Sequence, residues 1–153
     1  MRNIYLTGEV NSELSNRIIR ELLYYDSLGH EDITIYISSQ GGDVFSGLSI
    51  IDTISLIKSK VNMVVLDKAY SMAAIILSVG AKRYCYKNSI VMIHNVSGIS
   101  SNMQMIDSID EDVMKILSKN TGKSQEKLSK AMAWDNFMNA QEAKEMGFID
   151  EII

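Results

Sequence analysis

The chain has 153 residues, of which 46% are hydrophobic and 22% charged, the make-up of one domain large enough to bury a sizeable core. Its net charge is −4 with the basic residues scattered, which argues against a nucleic-acid surface, and no apolar run reaches the roughly 18–20 residues of a membrane helix. A single cysteine precludes an internal disulfide, and Met1-Arg2-Asn3-Ile4-Tyr5 lacks the apolar core of a secretion signal. A reducing, cytoplasmic setting is therefore expected.

Ile4 to Leu6 reads as a short strand, after which Asn11 caps a helix to about Tyr25 with Leu14, Ile18, Ile19, Leu22 and Leu23 as its apolar face. Ile33 to Ile37 is a strand and Gly41-Gly42 a turn. A helix from about Asp43 to Lys58 follows, turning Leu48, Ile51, Ile54 and Ile57 inward. Val61 to Leu66 is almost continuously apolar, as in a strand buried on both faces. The next helix runs from Ser71 to near Val79, with Gly80 closing it. Arg83 to Tyr86 and Ile90 to His94 read as two more strands. The last third is helical: a capping box at Ser101-Asn102-Met103-Gln104 opens a helix to about Ser118, and Ser124 caps another over Gln125 to Met132. Asn139-Ala140-Gln141-Glu142 is a second capping box, Gly147 ends its short helix, and Phe148 to Ile153 forms a last strand or extended tail. This order of strands and crossovers predicts one α/β domain, with a mainly parallel sheet and helices on both faces.

Three features carry candidate chemistry. Ser71 stands where an apolar strand runs into a helix through Ala69 and Tyr70. A serine there is commonly a helix N-cap, yet the same position presents a hydroxyl beside amides that have no intrahelical acceptor. His94 closes the run Ile90-Val91-Met92-Ile93 at a strand's carboxyl end, the edge of an α/β sheet where ligands and reacting groups collect. A structural, hydrogen-bonded histidine fits that position as well. The other histidine, His30, lies in a polar stretch and reads as a solvated loop residue. Gly41-Gly42 permits close backbone approach to an anion, or forms an ordinary tight turn. Ser38-Ser39-Gln40-Gly41-Gly42 matches neither a dinucleotide fingerprint nor a P-loop. Asp135 is flanked by Trp134 and Phe137, which suggests burial, but Asp43, Asp52, Asp67 and Asp107 compete with it as a partner for histidine. Cys85, between two tyrosines in a β-like run, reads as core. One cysteine and two histidines without ligand spacing give no metal site, and no cofactor is expected.

Together these segments resemble the ClpP family, the proteolytic subunit of the Clp protease. The resemblance runs through Ile4 to Val10, Tyr36 to Gly42, Ile51 to Ile54, Ser71-Met72-Ala73 and Lys82 to Cys85. It continues through Asn88-Ser89, Met92-Ile93-His94, Asp135 to Ala143 and Gly147 to Asp150. It implies a ClpP/crotonase-like fold of repeated β-β-α units with a short helical handle. The family's serine, histidine and aspartate fall on Ser71, His94 and Asp135, and its oxyanion amides on Gly42 and Met72. The resemblance thereby selects Asp135 from the competing acids. It implies a serine endopeptidase, an ATP-independent proteolytic core that hydrolyses unfolded polypeptide inside a ring chamber. A homo-oligomer is implied, a heptameric ring that can stack as a double ring and pair with an AAA+ unfoldase. Gly98 and Ile99 match the family's substrate strand, and Tyr36, Leu56 and Tyr84 the clefts where the unfoldase docks.

The sequence also departs from the family pattern. Asp67 replaces a glycine four residues before the serine, Gln40 a proline before the paired glycines, and Trp134 an arginine of the ring-to-ring contact. The stretch between His94 and Asp135 is about two helical turns shorter than in the family. The chain also begins at the first core strand without an axial-gate extension, which suggests a minimised member such as a virus- or plasmid-borne one. Asp67 and the altered substrate strand raise an alternative, a catalytically weak or inactive ring subunit. A crotonase-type acyl-CoA enzyme would share the fold but leave Ser71, His94 and Asp135 unexplained.

Overall fold

A computed structural model describes residues 1–95 and 103–153. The expected substrate strand at Gly98 and Ile99, and the first half of the capping box at 101–104, lie outside these residues.

Strands β1 (Arg2–Val10), β2 (Ile33–Gly42) and β3 (Val61–Tyr70) pair in parallel. Side chains alternate across a strand, and the registers bring like with like. Ile4 faces Ile35 and then Met63, while Leu6 faces Ile37 and then Val65, all six fully buried. The opposite face carries Tyr5, Tyr36, Val64 and Tyr84 in one row, the last from β4 (Arg83–Cys85). The strands extend further than expected. Gly41 and Gly42 continue β2 at positive φ instead of forming a turn, because they stay paired with Glu9 and Val10 of β1.

Helix α1 (Ser12–Ser27) starts where the Asn11 side chain accepts from the Leu14 amide at 2.9 Å. It buries Ser15, Ile18 and Leu22. Leu23 is 45% exposed and leaves the expected apolar face, because one residue turns the side chain by about 100° from Leu22. Helix α2 (Val44–Leu56) is capped by Asp43, which accepts from the Ser46 amide. Its Gly47 leaves the space that the Met72 side chain fills. Helix α3 (Met72–Ser78) is buried at all seven positions, as its apolar run over residues 72–77 requires, and the Ser78 hydroxyl donates to the Ile75 carbonyl.

Past its middle, β3 changes partners. Met63–Val65 pair with β4, whereas Lys68–Tyr70 pair in parallel with β5 (Ile90–Ile93). The buried Ser89 hydroxyl sits at the division, 3.1 Å from the Val65 carbonyl and 3.2 Å from that of Leu66. Strand β6 (Asn136–Asn139), which the sequence did not announce, pairs antiparallel with β5. Its four residues bury only Met138, too short an alternation to register, and Asn139 doubles as the cap of the next helix.

Helices α4 (Met103–Thr121) and α5 (Gln125–Ala131) lie between β5 and β6. Ile109, Val113, Leu117 and Leu128 anchor them to the core, and Ser124 caps α5 as expected. Helix α6 (Ala140–Glu145) opens on the expected capping box of Asn139 and Glu142. Phe148 is fully buried ahead of β7 (Glu151–Ile152), which pairs with β4. Asp150 is bound there by Arg83, whose guanidinium also donates to the Gly147 and Asn120 carbonyls, and the pair holds the Asp150 carboxyl below its ordinary range.

Candidate active site

Ser71 is the one non-glycine residue with positive φ among the described residues, at φ 54° and ψ −122°. Such a backbone costs a residue bearing a Cβ about 1–3 kcal/mol, so neighbouring contacts must hold it. The Ser71 amide donates to the Met92 carbonyl at 2.8 Å, and the Ser71 carbonyl accepts from Ala74 at 2.9 Å. The hydroxyl makes no capping bond to the helix, which removes the N-cap reading. Its Oγ instead lies 2.7 Å from His94 Nε2.

The other ring nitrogen, Nδ1, lies 3.0 Å from Asp135 Oδ1. With Asp135 accepting the Nδ1 proton, Nε2 is left as the acceptor for the Ser71 hydroxyl. Strand register brings the three together. The last β5–β6 pair is Ile93 with Asn136, so the next step of the ladder sets His94 against Asp135. The last β3–β5 pair is Tyr70 with Met92, which leaves Ser71 at the same edge. Asp135 is not buried, as its apolar neighbours suggested, but has a 65% exposed side chain. It follows α5 at the open end of β6, where Trp134 and Phe137 are also exposed.

Gly41 presses against the Ser71 segment. A Cβ there would meet the Tyr70 carbonyl at 2.5 Å and the Met72 amide at 2.9 Å, so only glycine allows this approach at φ +86°. Gly42, at φ +151°, has no room for a side chain against the Val10 backbone. A cleft of about 260 Å³ joins these parts. Ser71, His94, Gly42, Gln40 and Met72 line it along with the apolar side chains of Val44, Ile75 and Met92. Met72 opens α3, so its amide has no intrahelical acceptor. A serine, an imidazole, a carboxylate and two backbone amides beside a cleft can transfer an acyl group through a tetrahedral oxyanion. A second cleft, about 320 Å³ and lined by Thr7, Glu9, Asn11, Glu13, Leu14, Arg17 and Arg20, has no histidine or hydroxyl-histidine pair.

Asp67 does not line the first cleft. Its carboxylate is bound by the Ser38 hydroxyl and then by the Lys68 amide, which hold it below its ordinary range, with the Lys68 ammonium 3.6 Å away. Cys85 is fully buried, and burial pushes its thiol up to about 11, in keeping with a core role. The His30 side chain is 54% exposed, with Nδ1 3.1 Å from Asp26. No group of three or more metal-ligating side chains is found among the described residues. None of their helices is long and apolar enough to cross a membrane.

A family model described as Clp protease matches residues 1–153, the whole chain. The chain belongs to the Clp protease family. An ATP-dependent Clp protease proteolytic subunit from Carsonella ruddii (strain PV) is 36% identical over 162 residues, covering 99% of this chain and 84% of that protein. In this Clp protease family member, Tyr36 and Tyr84 occupy the row on the sheet's open face, where Tyr5 stacks on Tyr36 at 5.3 Å. Leu56 ends α2 with 77% of its surface exposed. Sequence reasoning missed Ser39, a fully buried hydroxyl behind the glycine pair; a serine within a strand gives no signal of what it will bond.

Proposed function

We propose that the chain is the proteolytic core subunit of a Clp-type protease, a serine endopeptidase acting on extended polypeptide. The observation that carries this reading is the strained Ser71 with its Oγ 2.7 Å from His94, which is 3.0 Å from Asp135. His94 Nε2 takes the Ser71 proton as Oγ attacks the peptide carbonyl. The Gly42 and Met72 amides bind the oxyanion, and Asp135 holds the ring tautomer and stabilises the imidazolium. His94 then protonates the leaving amine, and a water activated by the same ring releases the acyl-enzyme. The apolar lining of the cleft beside Ser71 suits a hydrophobic substrate side chain.

The same reading makes the chain one ClpP-like domain of a cytoplasmic homo-oligomer, a heptameric ring that can stack in pairs. The row of Tyr36 and Tyr84, together with Leu56, serves as the docking cleft for an AAA+ unfoldase, and Gly98-Ile99 as the substrate strand. The exposed Trp134 stands where the resemblance puts a ring-to-ring contact. Asp67 favours the active reading over the inactive one, since Ser38 and Lys68 engage its carboxylate and it takes no part in the His94 pair. The test is Ser71→Ala: peptide hydrolysis falls to background while the assembly's mass is unchanged. Hydrolysis at the unsubstituted rate would remove the assignment.

A further inference from the structure

Ser39 is fully buried, and its hydroxyl is bonded on both sides. It donates to the Gly8 carbonyl at 2.6 Å and accepts from the Gly41 amide at 3.0 Å. Gly8 is the residue at which β1 shifts register against β2, between Thr7 and Glu9. Ser39 is the residue at which β2 resumes pairing with β3 after a shift of its own. One hydroxyl therefore ties two irregular strands together, next to a glycine whose backbone touches the Ser71–Met72 segment.

We infer that Ser39 is a positioning residue for acyl transfer: through Gly41 it sets the Gly42 amide at its working distance from the Met72 amide. One oxyanion donor, Gly42, ends strand β2 and the other, Met72, opens helix α3, so the geometry of neither element alone spaces them. Their spacing rests on the contact of Gly41 with Tyr70 and Met72 and on what keeps Gly41 there. The β1–β2 pairing skips Ser39 and Gln40 before resuming at Gly41 and Gly42, and across that gap the Ser39 hydroxyl adds a bond to the Gly41 amide beside the pairing of Gly41 with Glu9. Being buried, Ser39 acts without touching substrate. Donors aimed at a developing oxyanion lose their effect steeply when displaced, and removing one outright costs ~10² to 10³ in kcat.

This inference rests on the peptidase reading above, and the experiment separates the two. Wild-type and Ser39→Ala proteins are compared for peptide turnover, for inhibition by a peptide aldehyde and for hydrogen–deuterium exchange over residues 38–44. The aldehyde carbon bonds to Ser71 Oγ as the serine proton passes to His94 Nε2, which leaves the former carbonyl oxygen, now negatively charged, at the oxyanion position. The expected result is kcat lowered about ten-fold or more, short of full loss of a donor, with KM unchanged. Aldehyde inhibition weakens by a similar factor, and exchange at the Gly41 segment speeds up. Ser39→Cys, which keeps the buried volume but bonds weakly, shows the same split. Unchanged kcat in Ser39→Ala, a loss confined to KM, or failure of both variants to fold would overturn the inference. If wild-type protein cleaves no peptide, the peptidase reading fails; equal exchange over residues 38–44 in wild type and Ser39→Ala would separately overturn the role given to the Ser39 hydroxyl.

Discussion

A positive φ at a residue with a Cβ is a cost that the surrounding contacts must sustain, and Ser71 carries it between a buried strand and a buried helix. The sequence allowed two readings of this serine, cap or nucleophile. The hydroxyl's bond to His94 in place of the helix amides removes the cap and supports the nucleophile of the proposed function. Asp135 was harder. Five acids were open on residue type alone, and its apolar neighbours pointed to burial, yet it lies exposed and reaches His94 through strand pairing. An exposed carboxylate competes with water for the imidazole, so its contribution is mainly to fix the tautomer. Asp135→Asn is therefore expected to lower kcat by about 10² to 10⁴ with little change in KM. Steady-state kinetics on a small peptide will measure it, and a loss under ten-fold would argue against Asp135 as the orienting group.

At the scale of elements, the helices were legible, and so were the strands apart from β6. Asn11, Asp43, Ser124 and the Asn139–Glu142 box each mark a helix start by a side chain that meets a free amide, a local interaction that a sequence can announce. Strand β6 depends on β5 for its existence and buries a single residue, so no periodicity betrayed it. Likewise Gly41-Gly42 has turn chemistry, but pairing with β1 keeps it in the sheet. Asp26 shows how such junctions are held. It accepts from the Lys58 and Ser59 amides and the Ser59 hydroxyl, joining the end of α1 to the approach to β3. The Ser59 amide first, aided by the Ser59 hydroxyl and the His30 ring, lowers its pKa from 3.8 to about 2. A folded value below the ordinary one means the contact contributes stability above pH 3.8 and loses it as pH falls toward about 2. Asp26→Asn should lower the thermal midpoint at neutral pH and flatten its fall across that acid window. A midpoint that falls as steeply in the variant as in the wild type would refute the linkage.

For the whole molecule, the registers of four adjacent strands put aliphatic side chains on one face and the Tyr5–Tyr36–Val64–Tyr84 row on the other. Only Tyr36, Leu56 and Tyr84 were singled out from the sequence, and Tyr5 joins them through its stacking on Tyr36. An aromatic row half open to solvent, on the face away from the aliphatic core, suits a partner's hydrophobic loop. On the proposed function, Tyr36→Ala should abolish unfoldase-driven degradation of a folded substrate and leave small-peptide hydrolysis near wild type. Equal loss of both activities would assign Tyr36 to the core instead. The family match over residues 1–153 and the bonds from Ser71 through His94 to Asp135 both support the central claim of the proposed function, that Ser71 is an activated nucleophile in an assembled protease.

The most direct test is the native mass of the purified assembly before and after a fluorophosphonate probe, with Ser71→Ala beside it. The account predicts a multimer that gains up to one adduct per subunit, on Ser71, and a variant multimer of the same size that gains none. Wild-type multimers that remain unlabelled, or labelling that persists in Ser71→Ala, would contradict it.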